Sequence, residues 1–120
     1  RNHFHIDHIY PKSKFTKTYL SGKGVSENKI SDYQKAANSI ANLQLLDGTT
    51  NTEKNDKDFD IWFKETNKTE IEQRDYRTKH YLPELEYSYQ NFLNFIEERK
   101  KELKKALENL LDIKTEKGQE

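Results

Sequence analysis

Apolar positions in the first third of the chain repeat every second residue; in the last third they repeat every third or fourth. Phe4 and Ile6 alternate with His5 and Asp7, which predicts a short strand over residues 4–9. Pro11 ends it, because proline has no N–H to give to a strand ladder. Residues 11–30 are polar, are broken by Gly22 and Gly24, and read as a long loop. Ser31-Asp32 offers an N-cap for a short helix, Tyr33 to Ser39. Asn42-Leu43-Gln44-Leu45-Leu46 suits a second short strand, with Asp47-Gly48 as the turn after it. Thr49 or Thr50 is placed to cap the next helix, which carries Asn51, Lys54 and Asn55 on its first turns.

Phe59, Ile61, Trp62 and Phe63 form a dense apolar group expected in the core. Residues 69–80 read as a helix that Thr69-Glu70-Ile71-Glu72 caps, with Arg74, Arg77 and Lys79 towards the end where the helix dipole favours cations. Pro83 breaks the chain. From Glu84 to about Leu111 the spacing of Leu85, Tyr89, Phe92, Ile96, Leu103, Leu107 and Leu110 predicts one long amphipathic helix, interrupted by Arg99. The charges around Arg99-Lys100-Lys101 alternate in sign at helical spacing, as on a solvated face. The tail from Lys114 is expected to fray. The fold class is thus α+β and mainly helical: a two-stranded hairpin plus helix embedded in helices, with a long C-terminal amphipathic helix. We expect a single domain over 1–120, with its core in 4–64, a helical extension over 69–111 and a frayed tail over 114–120.

Composition narrows the class. Of 120 residues, 32% are hydrophobic and 35% charged, so the core is small and the surface highly charged. Aromatic residues make up 12%, enough to argue against disorder. With no cysteine, a disulfide scaffold and a thiolate zinc site are excluded. No apolar run reaches membrane-spanning length, and a cytoplasmic location is expected. Arg1 opens the chain and methionine is absent, which reads as a fragment of a longer protein. The net charge is zero but unevenly spread: +3 over residues 1–57 and −3 over 58–120. Lys12, Lys14, Lys17 and Lys23 recur along the expected loop. A solvated loop and a basic flap beside phosphates are equally good readings of them.

The candidate chemistry begins at Asp7-His8. Hydrolysis of a phosphodiester needs a base for water, a divalent cation for the developing charge, and a group that holds the phosphate. Asp7 is a hard oxygen donor suited to Mg²⁺. Histidine titrates near neutrality, so His8 suits the base. Asn42 is placed to fix the segment carrying His8. Asn51 offers an amide oxygen as a second metal ligand, and Lys54, three residues on, shares its helical face and suits a phosphate contact. Asn55 rivals Asn51. His5 shares a strand face with Asp7, as an outer group of the metal site or as an ordinary strand residue.

The run Asp7-His8-Ile9-Tyr10-Pro11-Lys12-Ser13, then Asn42-Leu43-Gln44-Leu45-Leu46, then Asn51-Thr52-Glu53-Lys54 resembles the HNH motif of the ββα-metal (His-Me finger) nucleases, in its cysteine-free form. It is most similar to the C-terminal nuclease domain of GmrSD-type, modification-dependent restriction enzymes. The segment Asn91-Phe92-Leu93-Asn94-Phe95-Ile96-Glu97-Glu98-Arg99 is similar to the helix closing those domains. The resemblance implies a metal-dependent DNA endonuclease in a restriction or anti-phage system. His8 would be the general base, Asp7 and Asn51 the metal ligands, Asn42 the orienting residue, and Mg²⁺ or Mn²⁺ the cofactor. It also implies an upstream nucleotide-dependent, target-recognising domain. Homodimerisation through the long helix stays open. The rival reading is a catalytically silent ββα module that binds DNA or a partner.

Overall fold

The computed structural model describes residues 3–119, with side chains to residue 112. Two strands, β1 (Phe4–His8) and β2 (Leu43–Asp47), pair antiparallel with Asp7 opposite Gln44 and His8 opposite Leu43. Among the described residues, six α-helices accompany them: α1 (Lys17–Gly22), α2 (Ile30–Ala36), α3 (Gly48–Lys54), α4 (Phe59–Thr66), α5 (Glu70–His80) and α6 (Phe92–Gln119). The class is α+β and mainly helical, as the periodicities predict. Among the described residues, no helix is long and apolar enough to cross a membrane.

The expected long loop over 11–30 is instead folded. A 3₁₀ turn at Lys12–Lys14 leads to α1, and a second at Glu27–Lys29 runs into α2. The cause is local capping plus spaced apolar anchors that a polar average conceals. The Thr16 side chain accepts from the Tyr19 N–H, and Phe15, Leu20 and Val25 are buried. α2 accordingly starts at Ile30, earlier than the expected Tyr33, because the preceding 3₁₀ turn supplies its entry in place of a Ser31-Asp32 cap.

Two further boundaries move. α3 is capped by Asp47, which accepts from the Thr50 N–H at 2.9 Å, not by Thr49 or Thr50. The Thr50 N–H and the Thr50 hydroxyl hold the Asp47 carboxyl below its usual range. The long helix begins at Phe92, not Glu84. The Tyr87 hydroxyl donates to the Pro83 carbonyl and the Ser88 hydroxyl accepts from the Asn91 N–H, so residues 83–91 turn on themselves while burying Tyr87 and Tyr89. The α6 backbone stays helical through Gln119, including the tail from Lys114 where fraying is expected. The Thr69–Glu72 capping box of α5 is present with both its hydrogen bonds.

The core is aromatic, with Tyr10 at its centre. Its ring meets Phe59, Tyr89, Phe92 and Phe95 at centroid distances of 4.9–5.7 Å. Phe59, Trp62 and Phe63 are buried as expected, but Ile61 is 56% exposed because it lies on the outer face of α4. Arg99, the break in the α6 stripe, is buried as well. Its guanidinium donates to the carbonyls of Ala41, Leu43 and His80 at 2.6–3.1 Å, joining α6 to the start of β2 and the end of α5.

Candidate functional site

Adjacent residues on a strand point to opposite faces, and the Asp7-His8 pair follows that rule. Asp7 faces α3 and is buried; His8 faces the other way and is half-buried. Asp7 Oδ2 lies 3.0 Å from Lys54 Nζ and accepts from Gln44 Nε2 at 2.9 Å. Gln44 Oε1 in turn accepts from the Tyr76 hydroxyl of α5 at 3.1 Å. Both partners of the carboxylate therefore address one oxygen, and among the described residues no hydrogen bond reaches Oδ1.

Lys54 is fully buried. Besides facing Asp7, it donates to the backbone carbonyl of His8 at 2.9 Å. Burial pulls its pKa below the ordinary lysine value, with the charge of Asp7 opposing the shift. The phosphate contact expected of Lys54 does not match this placement, since the ammonium points into the hairpin. The i,i+3 spacing places Lys54 on the correct helix but cannot tell an inward-facing side chain from an outward one.

Asn42 is fully buried just before β2. Its Oδ1 accepts from the Tyr10 N–H at 2.9 Å, and its Nδ2 donates to the carbonyls of Tyr10 and Ala37 at 3.0 and 2.9 Å. The Ile9 N–H adds a bond to the Asn42 carbonyl at 2.7 Å. The two residues after His8 are thus held by Asn42, Tyr10 through its side chain and Ile9 through its backbone carbonyl, and anchored by the Tyr10 ring. On the solvent side, His8 Nε2 lies 3.4 Å from Asn38 Oδ1.

Asn51 sits half-buried on α3, one turn before Lys54. Asn55 is exposed and forms the C-cap of α3 with a φ of 46°. His5 is exposed, and its ring lies against Gly48, away from the Asp7–Lys54 pair. Among the described residues, no three His, Asp or Glu side chains converge as a metal cluster. The oxygen donors that remain are the Asp7 carboxylate, on whose Oδ1 no hydrogen bond falls among the described residues, and the Asn51 amide on α3. That set suits Mg²⁺, which binds few protein oxygens and takes the rest from water and substrate phosphate.

The sequence pattern assigns no role at the site to Gln44, Tyr76 or Asn38, and it reads Arg99 only as a break in the stripe of α6. The only advance signal was a polar residue or an arginine inside an otherwise apolar stripe, at Gln44 and Arg99.

An acid and a histidine thus lie side by side on the first strand of a hairpin against which a short helix packs. The family model described as GmrSD restriction endonucleases, C-terminal domain, matches residues 1–106, and the chain belongs to that family. It is therefore a nuclease domain of a restriction endonuclease, a class that acts on DNA. No curated protein matches the chain.

Proposed function

We propose that the domain is an HNH-type, metal-dependent endonuclease that hydrolyses DNA phosphodiester bonds within a restriction system directed at foreign DNA. The observation that carries this reading is the rigid presentation of His8. Its carbonyl is held by Lys54 and its following residues by Asn42, while its ring stays half-exposed.

In the tautomer with its proton on Nε2, His8 donates to Asn38 Oδ1, and the Nδ1 lone pair is left to accept a proton from water. Asn42 keeps the ring's backbone from shifting, so the base needs no rearrangement when substrate arrives. Asp7, held through Oδ2, keeps Oδ1 for a cation, and Asn51 adds its amide oxygen. A bound Mg²⁺ or Mn²⁺ would stabilise the charge that builds on the phosphate and the leaving oxygen. Lys54 acts inside the hairpin, holding Asp7 and the His8 carbonyl in register, rather than on the phosphate. As the family is described as a C-terminal domain, target choice falls to another part of the whole enzyme.

The test is nicking of supercoiled plasmid with Mg²⁺ or Mn²⁺ by the parent chain, His8→Ala and Asn51→Ala. Cleavage by the parent, reduced at least about 100-fold in His8→Ala and strongly in Asn51→Ala, is expected. Equal cleavage by all three would place the active centre elsewhere.

A further inference from the structure

Residues 9–26 contain four lysines and no acid, and none of the four has a part in the proposed hydrolysis. The fold makes this segment a braced unit. Phe15, Leu20 and Val25 are sunk in the core, and Thr16 caps α1. Gly24 turns the chain at a φ of +85°, and Gln90 Nε2 donates to the Lys23 carbonyl at 3.2 Å. A Cβ at Gly24 would come within 2.6 Å of that same nitrogen, so the turn fits closely against the loop before α6.

On this unit, two ammonium groups converge on one ring. Lys14 Nζ lies 5.1 Å and Lys23 Nζ 5.4 Å from the centroid of Tyr19. Tyr19 is itself fixed edge-on against Tyr89 at 5.4 Å. Lys17 is matched by Glu27 at 3.0 Å, whereas no ion pair among the described residues involves Lys14 or Lys23. Two ammonium groups beside one ring, neither with an acid partner among the described residues, favour an anion bound near them. Lys12 and Lys14 follow His8 by four and six residues, so at most about 14 and 22 Å of extended chain separate them from it. A DNA strand advances about 3.4 Å per phosphate. Lys14 is thus within about six phosphates, along one strand, of a bond held at His8.

We propose that Lys14 and Lys23, gathered on Tyr19, form a phosphate-holding surface that grips the DNA backbone beside the cleaved bond. The partner is a phosphodiester backbone, held by charge and without base readout. This proposal rests on the nuclease reading above, and it assigns substrate binding to residues outside the hydrolytic site.

The experiment is fluorescence anisotropy with a labelled DNA duplex in EDTA, over a series of KCl concentrations. It compares the full chain with Lys14→Gln, Lys23→Gln, the double variant, and Lys64→Gln as a control lysine already paired with Asp60. Each site variant is expected to weaken binding to unrelated duplexes alike and to make the slope of log K against log salt shallower by about 0.9, and the double variant by about twice that. Lys64→Gln should bind as the parent does. Site variants with the parent's slope and affinity, or a parent that does not bind duplex DNA, would overturn the proposal. The nuclease reading is judged separately on cleavage: it falls if His8→Ala cuts as well as the parent, whatever the lysine variants do.

Discussion

Lys54 Nζ lies 3.0 Å from Asp7 Oδ2, with the lysine side chain 0% and the aspartate side chain 8% exposed. A helix and a strand are thus joined through a desolvated ion pair, and the same ammonium also holds the His8 carbonyl. Removing two charges from water is costly, and the pair persists because each member has further partners. Asp7 has Gln44, backed by Tyr76; Lys54 has the His8 carbonyl and lies 5.9 Å from the Trp62 ring centroid. The metal-binding carboxylate and the base of the proposed reaction are therefore positioned by one side chain, through the carboxylate of one residue and the backbone of the next.

Lys54→Met should be severely destabilising for that reason. It leaves a buried carboxylate without its cation and a carbonyl without its donor, at a cost of about 3–5 kcal/mol. Urea unfolding followed by far-UV circular dichroism measures this directly. A change within about 0.5 kcal/mol, typical of exposed lysines, would mean that the side chain lies in solvent.

Asn42→Ala should cost about 2–4 kcal/mol, because three buried hydrogen bonds end on that one amide and their backbone partners are left unsatisfied. Asn42→Asp tests the orientation more finely. It keeps the acceptor for the Tyr10 N–H but sets a carboxylate against the carbonyls of Tyr10 and Ala37. Cleavage by either variant at a temperature where it is still folded should fall, since the His8 segment loses its clamp. A folded Asn42→Ala protein that cuts at the parent's rate would show that His8 is held without it.

How far the sequence reveals this site depends on whether a residue's role is local. Alternation at Phe4–Asp7, the apolar run at 43–46 and the Thr69–Glu72 box are local patterns, and each falls on the element it predicts. Asn42 could be assigned to the His8 segment because the resemblance supplied a partner far away in sequence. Lys54 could not be assigned its direction, since an outward and an inward lysine read the same until the helix is docked. Arg99 looked like a defect in an amphipathic stripe. It is buried because three carbonyls from other elements meet there, a convergence that no window of sequence contains. The segment 11–30 was misjudged on its average polarity, although Phe15, Leu20 and Val25 suffice to pin it. The start of α6 was placed too early because Leu85 and Tyr89 keep helical spacing while lying on a turn.

His80 should make the fold sensitive to acid. It packs on Tyr76 at a centroid distance of 4.3 Å, beside Lys79 and close to Arg99, whose Nη2 donates to the His80 carbonyl. Burial first, then the charges of Lys79 and Arg99, lower its pKa from 6.5 to about 4, with Asp7 opposing weakly. In the unfolded chain the ring titrates at its ordinary value. Between these two values the unfolded state binds the extra proton and the folded state does not, so stability falls as pH falls through that window. The contribution is complete above about pH 6.5 and gone below about pH 4. It is worth roughly 2 kcal/mol once the partial exposure of the ring is allowed for. Urea unfolding of the parent and of His80→Gln at pH 7.5 and pH 4 isolates it, because carboxylate titrations are shared and cancel in the comparison. The parent should lose about 2 kcal/mol more than the variant between the two pH values. Equal losses would mean that His80 takes up its proton in the folded protein as readily as in the unfolded chain.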